Sequence, residues 1–102
     1  MKIAVAAMTP DVKGLIAKHG ARAPYYLLFD KPGKILEVVS NQYAEVDRGA
    51  APQAARLLAG KGITLLAAGD FGPRFVAELE KRSIDTVQRS GQVSDIVRQL
   101  IA

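Results

Sequence analysis

The chain's only histidine lies in the segment KHGARAPYY, residues 18–26, with Lys18 directly before it and Arg22 three residues on. A neutral imidazole is a good ligand for iron or zinc. Arg22 is a fixed cation with several N–H donors, so beside His19 it could hold an anionic ligand, with Lys18 adding charge at the rim. The second place with chemical potential is Gly69-Asp70-Phe71-Gly72-Pro73. There Gly69 and Gly72 permit tight backbone, Asp70 supplies a carboxylate, and a helix starting after the turn would offer amides to an anion. Each place also has a plainer reading. His19 would be a solvated loop side chain bonded to a carbonyl, Arg22 would pair with a surface carboxylate, and the glycine turn would do no more than start a helix with Pro73 in its first turn.

Composition excludes several chemistries. With no cysteine there is no disulfide, zinc ribbon, thiolate nucleophile or cysteine-held iron-sulfur cluster. Protein-built zinc sites need about three or four ligands, so one histidine without cysteine does not assemble one from soft donors. The D-F-G in the second segment lacks the glycine-rich loop and catalytic-loop residues of a kinase. No Ser-His-Asp arrangement stands near a nucleophile elbow, and the acids Asp11, Asp30, Asp47 and Asp70 fall in expected loops. The chain is therefore expected not to be an enzyme.

Fourteen Lys plus Arg against ten Asp plus Glu give a formal charge of +4, which favours anionic partners. Lys13, Lys18, Arg22, Arg48, Arg56 and Arg74 would form one positive surface if their loops shared an edge, although scattered cations more often make a solvated face. With only Tyr25 and Tyr26 near His19, a stacking platform for single strands is poorly supported, and nucleic acid is not an expected partner. Near the start, Ile3 to Met8 is too short for a secretory core or a membrane span, so a cytoplasmic protein without a membrane role is expected.

The elements that must position these residues follow from apolar patterning. Met1 to Met8 reads as a buried strand bounded by Thr9-Pro10. Val12, Leu15 and Ile16 sit at i, i+3, i+4 behind Thr9, but Gly14 weakens a helix, so Asp11 to Ala23 reads as a loop with room for one helical turn. Tyr25 to Phe29 and Ile35 to Val39 flank the turn Asp30-Lys31-Pro32-Gly33-Lys34 and form a hairpin. Asn41 to Gly49 is a polar connection. Ala51 to Ala59 makes a helix that Gly60 and Gly62 end. Ile63 to Ala68 is a second apolar strand, followed by a helix with Phe75, Val76 and Leu79 inward. Ser83 to Val87 is a short last strand, and Val93, Ile96, Val97, Leu100 and Ile101 repeat at helical spacing. The order β-β-β-α-β-α-β-α predicts one α/β domain over residues 1–102. Its sheet should be mixed and five-stranded, with the runs at Ile3 to Met8 and Ile63 to Ala68 central.

This order, with MKIAVAA at the start, H-x-x-R-A-P-Y-Y before the second strand and GKGITLLAAGDFGP in the later unit, resembles the dinitrogenase iron-molybdenum cofactor biosynthesis family over nearly the whole chain. The family pattern around the histidine is close to S-P-H-F-G-R-A. His19, Arg22 and Ala23 keep their places, while Gly20 and Ala21 stand where Phe and Gly are usual. The resemblance implies a ribonuclease H-like fold and a small domain that carries, stores or delivers a nitrogenase-type metal cluster or precursor. A preassembled cluster brings its own sulfides and organic ligand, so one exchangeable histidine with nearby positive charge would suffice. On that reading His19 is the metal ligand, and Arg22, Lys18, Gly69, Asp70 and Gly72 complete a binding site for a transiently held iron-sulfur or iron-molybdenum cluster. The partners would be cluster-biosynthesis or recipient proteins. Nucleases of this architecture hold two metal ions with a carboxylate on the first strand, and Ile3 to Met8 carries none. The alternative is a protein-interaction or regulatory domain of the same fold that binds no cluster.

Overall fold

The computed structural model describes residues 2–101. Its elements are β1 (Lys2–Ala7), β2 (Tyr25–Asp30), β3 (Ile35–Ser40), α1 (Ala50–Gly60), β4 (Leu65–Ala68), α2 (Pro73–Glu80), β5 (Asp85–Gln88) and α3 (Val93–Ile101). The strands form one sheet in the order β3-β2-β1-β4-β5. β2 runs antiparallel to both β1 and β3, whereas β1, β4 and β5 are mutually parallel. The carboxyl ends of these three parallel strands therefore lie at one edge, where open α/β sheets usually present their ligand sites.

Both interior runs are apolar on both faces because helices cover both faces. Ala4 and Ala6 of β1 with Leu66 and Ala68 of β4 face α1 and α2, packing against Ala54, Ala55, Leu58, Phe75 and Leu79. Ile3, Val5 and Ala7 with Ala67 face the other way, onto Val93, Ile96 and Val97 of α3. Small alanines on the two-helix side let the helices lie close, and the larger residues opposite match the single helix, whose periodicity is the one expected from the sequence. The hairpin turn also forms as expected, with Gly33 N–H donating to Asp30 O at 3.0 Å and Lys34 N–H to Asp30 Oδ1 at 2.8 Å. At the outer edge, Ile35, Leu36 and Val38 of β3 remain exposed.

The segment between β1 and β2 is a loop, as expected, but the turn within it is not helical. A β-turn closes at Asp11–Gly14, Gly14 N–H donating to Asp11 O at 2.9 Å, and the chain then runs extended. Ile16 N–H donates to Gly91 O at 2.9 Å, Ala17 N–H to Ala6 O at 2.7 Å, and Val93 N–H to Gly14 O at 2.9 Å. This strap ties the end of β1 to the start of α3. Extended geometry wins because it alternates its side chains, burying Ile16 while leaving Leu15 exposed, and gives each buried backbone donor a partner. Strand starts also shift. β4 begins at Leu65 because Ile63 N–H donates to Leu58 O at 3.3 Å and so closes α1. β5 begins at Asp85 because Ser83, at φ 59°, reverses the chain after α2. Met8, read as the end of the first strand, is exposed beyond it. Among the described residues no helix is long and apolar enough to cross a membrane.

Candidate functional site

The loop bearing His19 is held against the turn after β4 by backbone contact. His19 and Asp70 form an isolated parallel bridge, Gly20 N–H donates to Asp70 O at 2.9 Å, and Gly69 N–H donates to Ala17 O at 2.9 Å. Two glycines allow this approach. A Cβ on Gly69 would stand 2.8 Å from Lys18 Cα, and one on Gly20 would stand 3.0 Å from the Phe75 ring and 3.2 Å from Asp70 O. The glycine at position 20 thus has a packing reason: the Phe75 ring and the Asp70 carbonyl leave a side chain almost no room.

From the other side the loop hangs on a buried polar network. The Tyr26 hydroxyl donates to Gly20 O at 2.5 Å. Asn41 Nδ2 donates to Ala23 O at 2.9 Å and Ala21 O at 3.1 Å, with the Tyr26 oxygen at 3.3 Å, and Asn41 Oδ1 accepts from Tyr43 N–H at 3.0 Å. Burial pushes the Tyr26 phenol's pKa up, so it stays a donor through the neutral range. In the sequence neither residue announces this role. Tyr26 looks like an ordinary strand aromatic and Asn41 like the first residue of a polar connection.

Among the described residues Arg22 does not pair with the surface carboxylate of the plainer reading. Its Nη1 donates to Val46 O at 2.6 Å and Ala44 O at 3.3 Å, tying the connection between β3 and α1 to the histidine loop. One guanidinium nitrogen serves these carbonyls, and the remaining donors stay available.

Four of the residues singled out from sequence, His19, Arg22, Asp70 and Gly72, line one cavity of about 210 Å³ with Gly20, Ala21 and Phe71. Its carboxylate is partly engaged, Asp70 Oδ1 accepting from Phe71 N–H at 2.8 Å. Lys18 and Gly69 face elsewhere. They line a separate cavity of about 480 Å³ with Leu15, Gln88 and Arg89, because successive residues of the extended segment point to opposite sides. The small cavity shares Ala21, Arg22, Phe71 and Gly72 with a wider cleft of about 650 Å³. Of the six cations considered from sequence, Arg22, Arg48 and Arg74 line that cleft, while Lys13, Lys18 and Arg56 do not.

Two helices begin there. Gly49 precedes α1 at φ 79° and Gly72 precedes α2 at φ 73°, left-handed backbone that glycine adopts at no steric cost. Neither helix has a side-chain cap or an acid in its first turn, so no first-turn carboxylate offsets the positive end of either dipole. Among the described residues no three His, Asp or Glu side chains gather to hold a metal ion. The cavity brings together one imidazole, His19, and one partly engaged carboxylate, Asp70.

Fold and site together define a small α/β domain whose carboxyl edge offers one exposed imidazole next to an arginine-lined cleft. The chain belongs to the dinitrogenase iron-molybdenum cofactor family, whose sequence profile matches residues 1–102. Its structure is similar to the apo form of the orange protein from Desulfovibrio gigas. The two share 29% identity with a TM-score of 0.89, over 96% of this chain and 84% of that one. It is also similar in fold to a Thermotoga protein provisionally called NifB and placed in the DUF35 family. There the identity is 24% and the TM-score 0.81, over 95% of this chain and 84% of the other. No curated relative matches the chain.

Proposed function

We propose that this protein is a small cytoplasmic, non-catalytic carrier for an anionic iron-sulfur or iron-molybdenum-type cluster, or its precursor, made elsewhere and passed to a recipient protein. His19 is the exchangeable metal ligand, and Arg22 holds the anionic edge beside it. Asp70 and Gly72 form the opposite wall, and Lys18 acts only at long range. The observation that carries this reading is the meeting of His19, Arg22, Asp70 and Gly72 around one cavity in a chain of this family. Family membership and the likeness to the orange protein support the class of cargo. The ribonuclease H-like fold implied by the resemblance is compatible with this strand order, and β1, with no carboxylate, supports a binding role over two-metal hydrolysis.

The chemistry is that of a weak, reversible grip. A cluster that brings its own sulfides needs only one borderline nitrogen donor to fix its orientation, and positive charge supplies the rest of the attraction without blocking release. Anaerobic titration of isolated cofactor into wild type and His19→Ala tests it. His19 is exposed, so its removal should leave thermal stability nearly unchanged, while binding should weaken at least tenfold, or about 1.4 kcal/mol. Equal binding by both proteins would take His19 out of the site. No binding by either would favour the interaction-domain alternative.

A further inference from the structure

Arg22, Arg48 and Arg74 reach the 650 Å³ cleft from three parts of the chain: the loop before β2, the connection before α1 and the first turn of α2. The only acid in its lining is Asp47, so three positive charges less one negative leave a surplus of two. The ion pairs among the described residues are Glu37–Lys61, Glu78–Lys81, Glu78–Arg82 and Asp95–Arg98, none of which involves the cleft. Like charges around one cavity repel, and an anion between them removes that cost. One wall is aromatic: Phe71 packs on Phe75 with ring centroids 6.3 Å apart.

We infer that this cleft binds a diphosphate group, free or as part of a nucleoside diphosphate, at a site that adjoins the His19 cavity and shares Arg22 with it but does not use His19. Guanidinium groups match phosphate oxygens in bidentate geometry, which a carboxylate-poor pocket with three of them serves better than a lysine patch would. The first turns of α1 and α2 add free backbone amides, those of Ala50, Ala51 and Arg74, since Pro52 and Pro73 have none to give. The volume is in the range of small-molecule sites. Phe71 offers a face on which a base can stack. Arg48 and Arg74 line the cleft and not the His19 cavity, so the two sites are separable by mutation.

The test is a titration of inorganic pyrophosphate, and separately of ADP, into apo protein without metal, followed by amide chemical shifts. Wild type should bind pyrophosphate saturably, with shifts at Ala50, Ala51 and Arg74. Arg48→Gln with Arg74→Gln should weaken binding at least tenfold, and Arg48→Gln alone should weaken it partly. Both side chains are exposed, so the fold should be kept. His19→Ala should bind pyrophosphate as wild type does, which separates this result from any outcome of the cluster titration. Lys81→Gln, a distant exposed cation, is the control for charge alone. ADP binding more tightly than pyrophosphate, with Phe71→Leu removing only that advantage, identifies a nucleotide ligand; equal binding identifies free diphosphate. Absence of saturable binding, or equal weakening by Lys81→Gln and the double variant, overturns the proposal.

Discussion

The Tyr26 hydroxyl donates to the carbonyl of Gly20 at 2.5 Å, and through that bond a fully buried strand residue fixes the residue next to His19. Asn41 does the same for Ala21 and Ala23. The histidine loop therefore has little freedom of its own, despite its exposed side chains, because its carbonyls are spoken for from beneath. A ligand for His19 meets a preset backbone, which lowers the ordering cost of binding.

Tyr26→Phe should destabilise the fold by about 1–3 kcal/mol, since it keeps the ring's packing but leaves a buried carbonyl without its donor. Denaturant unfolding gives the magnitude. Hydrogen exchange of the amides from Gly20 to Ala23 should accelerate more than that of β1. The phenol also has a pH signature. Burial raises its native pKa above the usual value of 10.0, so the folded state holds a proton that the unfolded chain releases first. Its contribution is intact below about pH 10 and is lost as the pH rises from there through the native value. Wild type should show this alkaline loss of stability, and Tyr26→Phe should show a shallower one. An identical alkaline limb in both proteins would remove Tyr26 as its source.

Gly69 and Gly72 should fail differently when changed to alanine. At Gly69 the new methyl meets the Lys18 backbone at 2.8 Å, so the two segments must part, at an overpacking cost of about 1–3 kcal/mol. At Gly72 the space is open, but φ 73° with ψ 150° is a conformation essentially confined to glycine, which costs about 1–3 kcal/mol as backbone strain. The two losses are similar in size and distinct in place. Amide shifts at Lys18 to Gly20 should move strongly in Gly69→Ala and little in Gly72→Ala, where the first turn of α2 changes instead. Large shifts around His19 in both variants would mean that Gly72 carries packing that the structure does not contain.

The parts of this molecule legible in its sequence are those whose reasons are local. Ile3 to Met8 and Ile63 to Ala68 read as interior strands because two-sided burial demands unbroken apolar runs, and α3 reads from a repeat that puts Val93, Ile96 and Val97 on one face. Residues 12–17 read as a loop, but their extended course was not legible, because their i, i+3, i+4 pattern is real whereas the backbone partners they bond belong to β1 and to the segment at the start of α3. Asn41 was invisible for the same reason: its acceptors are the carbonyls of Ala21 and Ala23, about twenty residues earlier. Arg22, Arg48 and Arg74 were visible as charges, but their convergence depends on α1 and α2 starting side by side at one sheet edge. His19 and Asp70 were each visible alone, and the bridge that brings them together needed Gly20 and Gly69 to be recognised as close backbone contacts.

Arg22 unites structure and charge, and substitution can separate the two. Its Nη1 bonds to Val46 O and Ala44 O tie the connection before α1 to the histidine loop. Arg22→Ala should therefore loosen that connection and lower stability by about 0.5–1.5 kcal/mol, the usual net worth of an intramolecular hydrogen bond at an exposed site. Arg22→Lys keeps the charge but loses the forked geometry. If the arginine serves the site mainly as charge, Arg22→Lys should bind cofactor almost as wild type does at low salt, and Arg22→Ala should bind less tightly, with the gap closing as salt rises. If it serves mainly by holding the 44–46 connection in place, both variants should lose binding alike, with faster hydrogen exchange from Ala44 to Arg48 and no dependence on salt. Measuring cofactor affinity at two ionic strengths alongside exchange in the three proteins decides between the roles. Unchanged exchange and unchanged affinity in Arg22→Ala would exclude both.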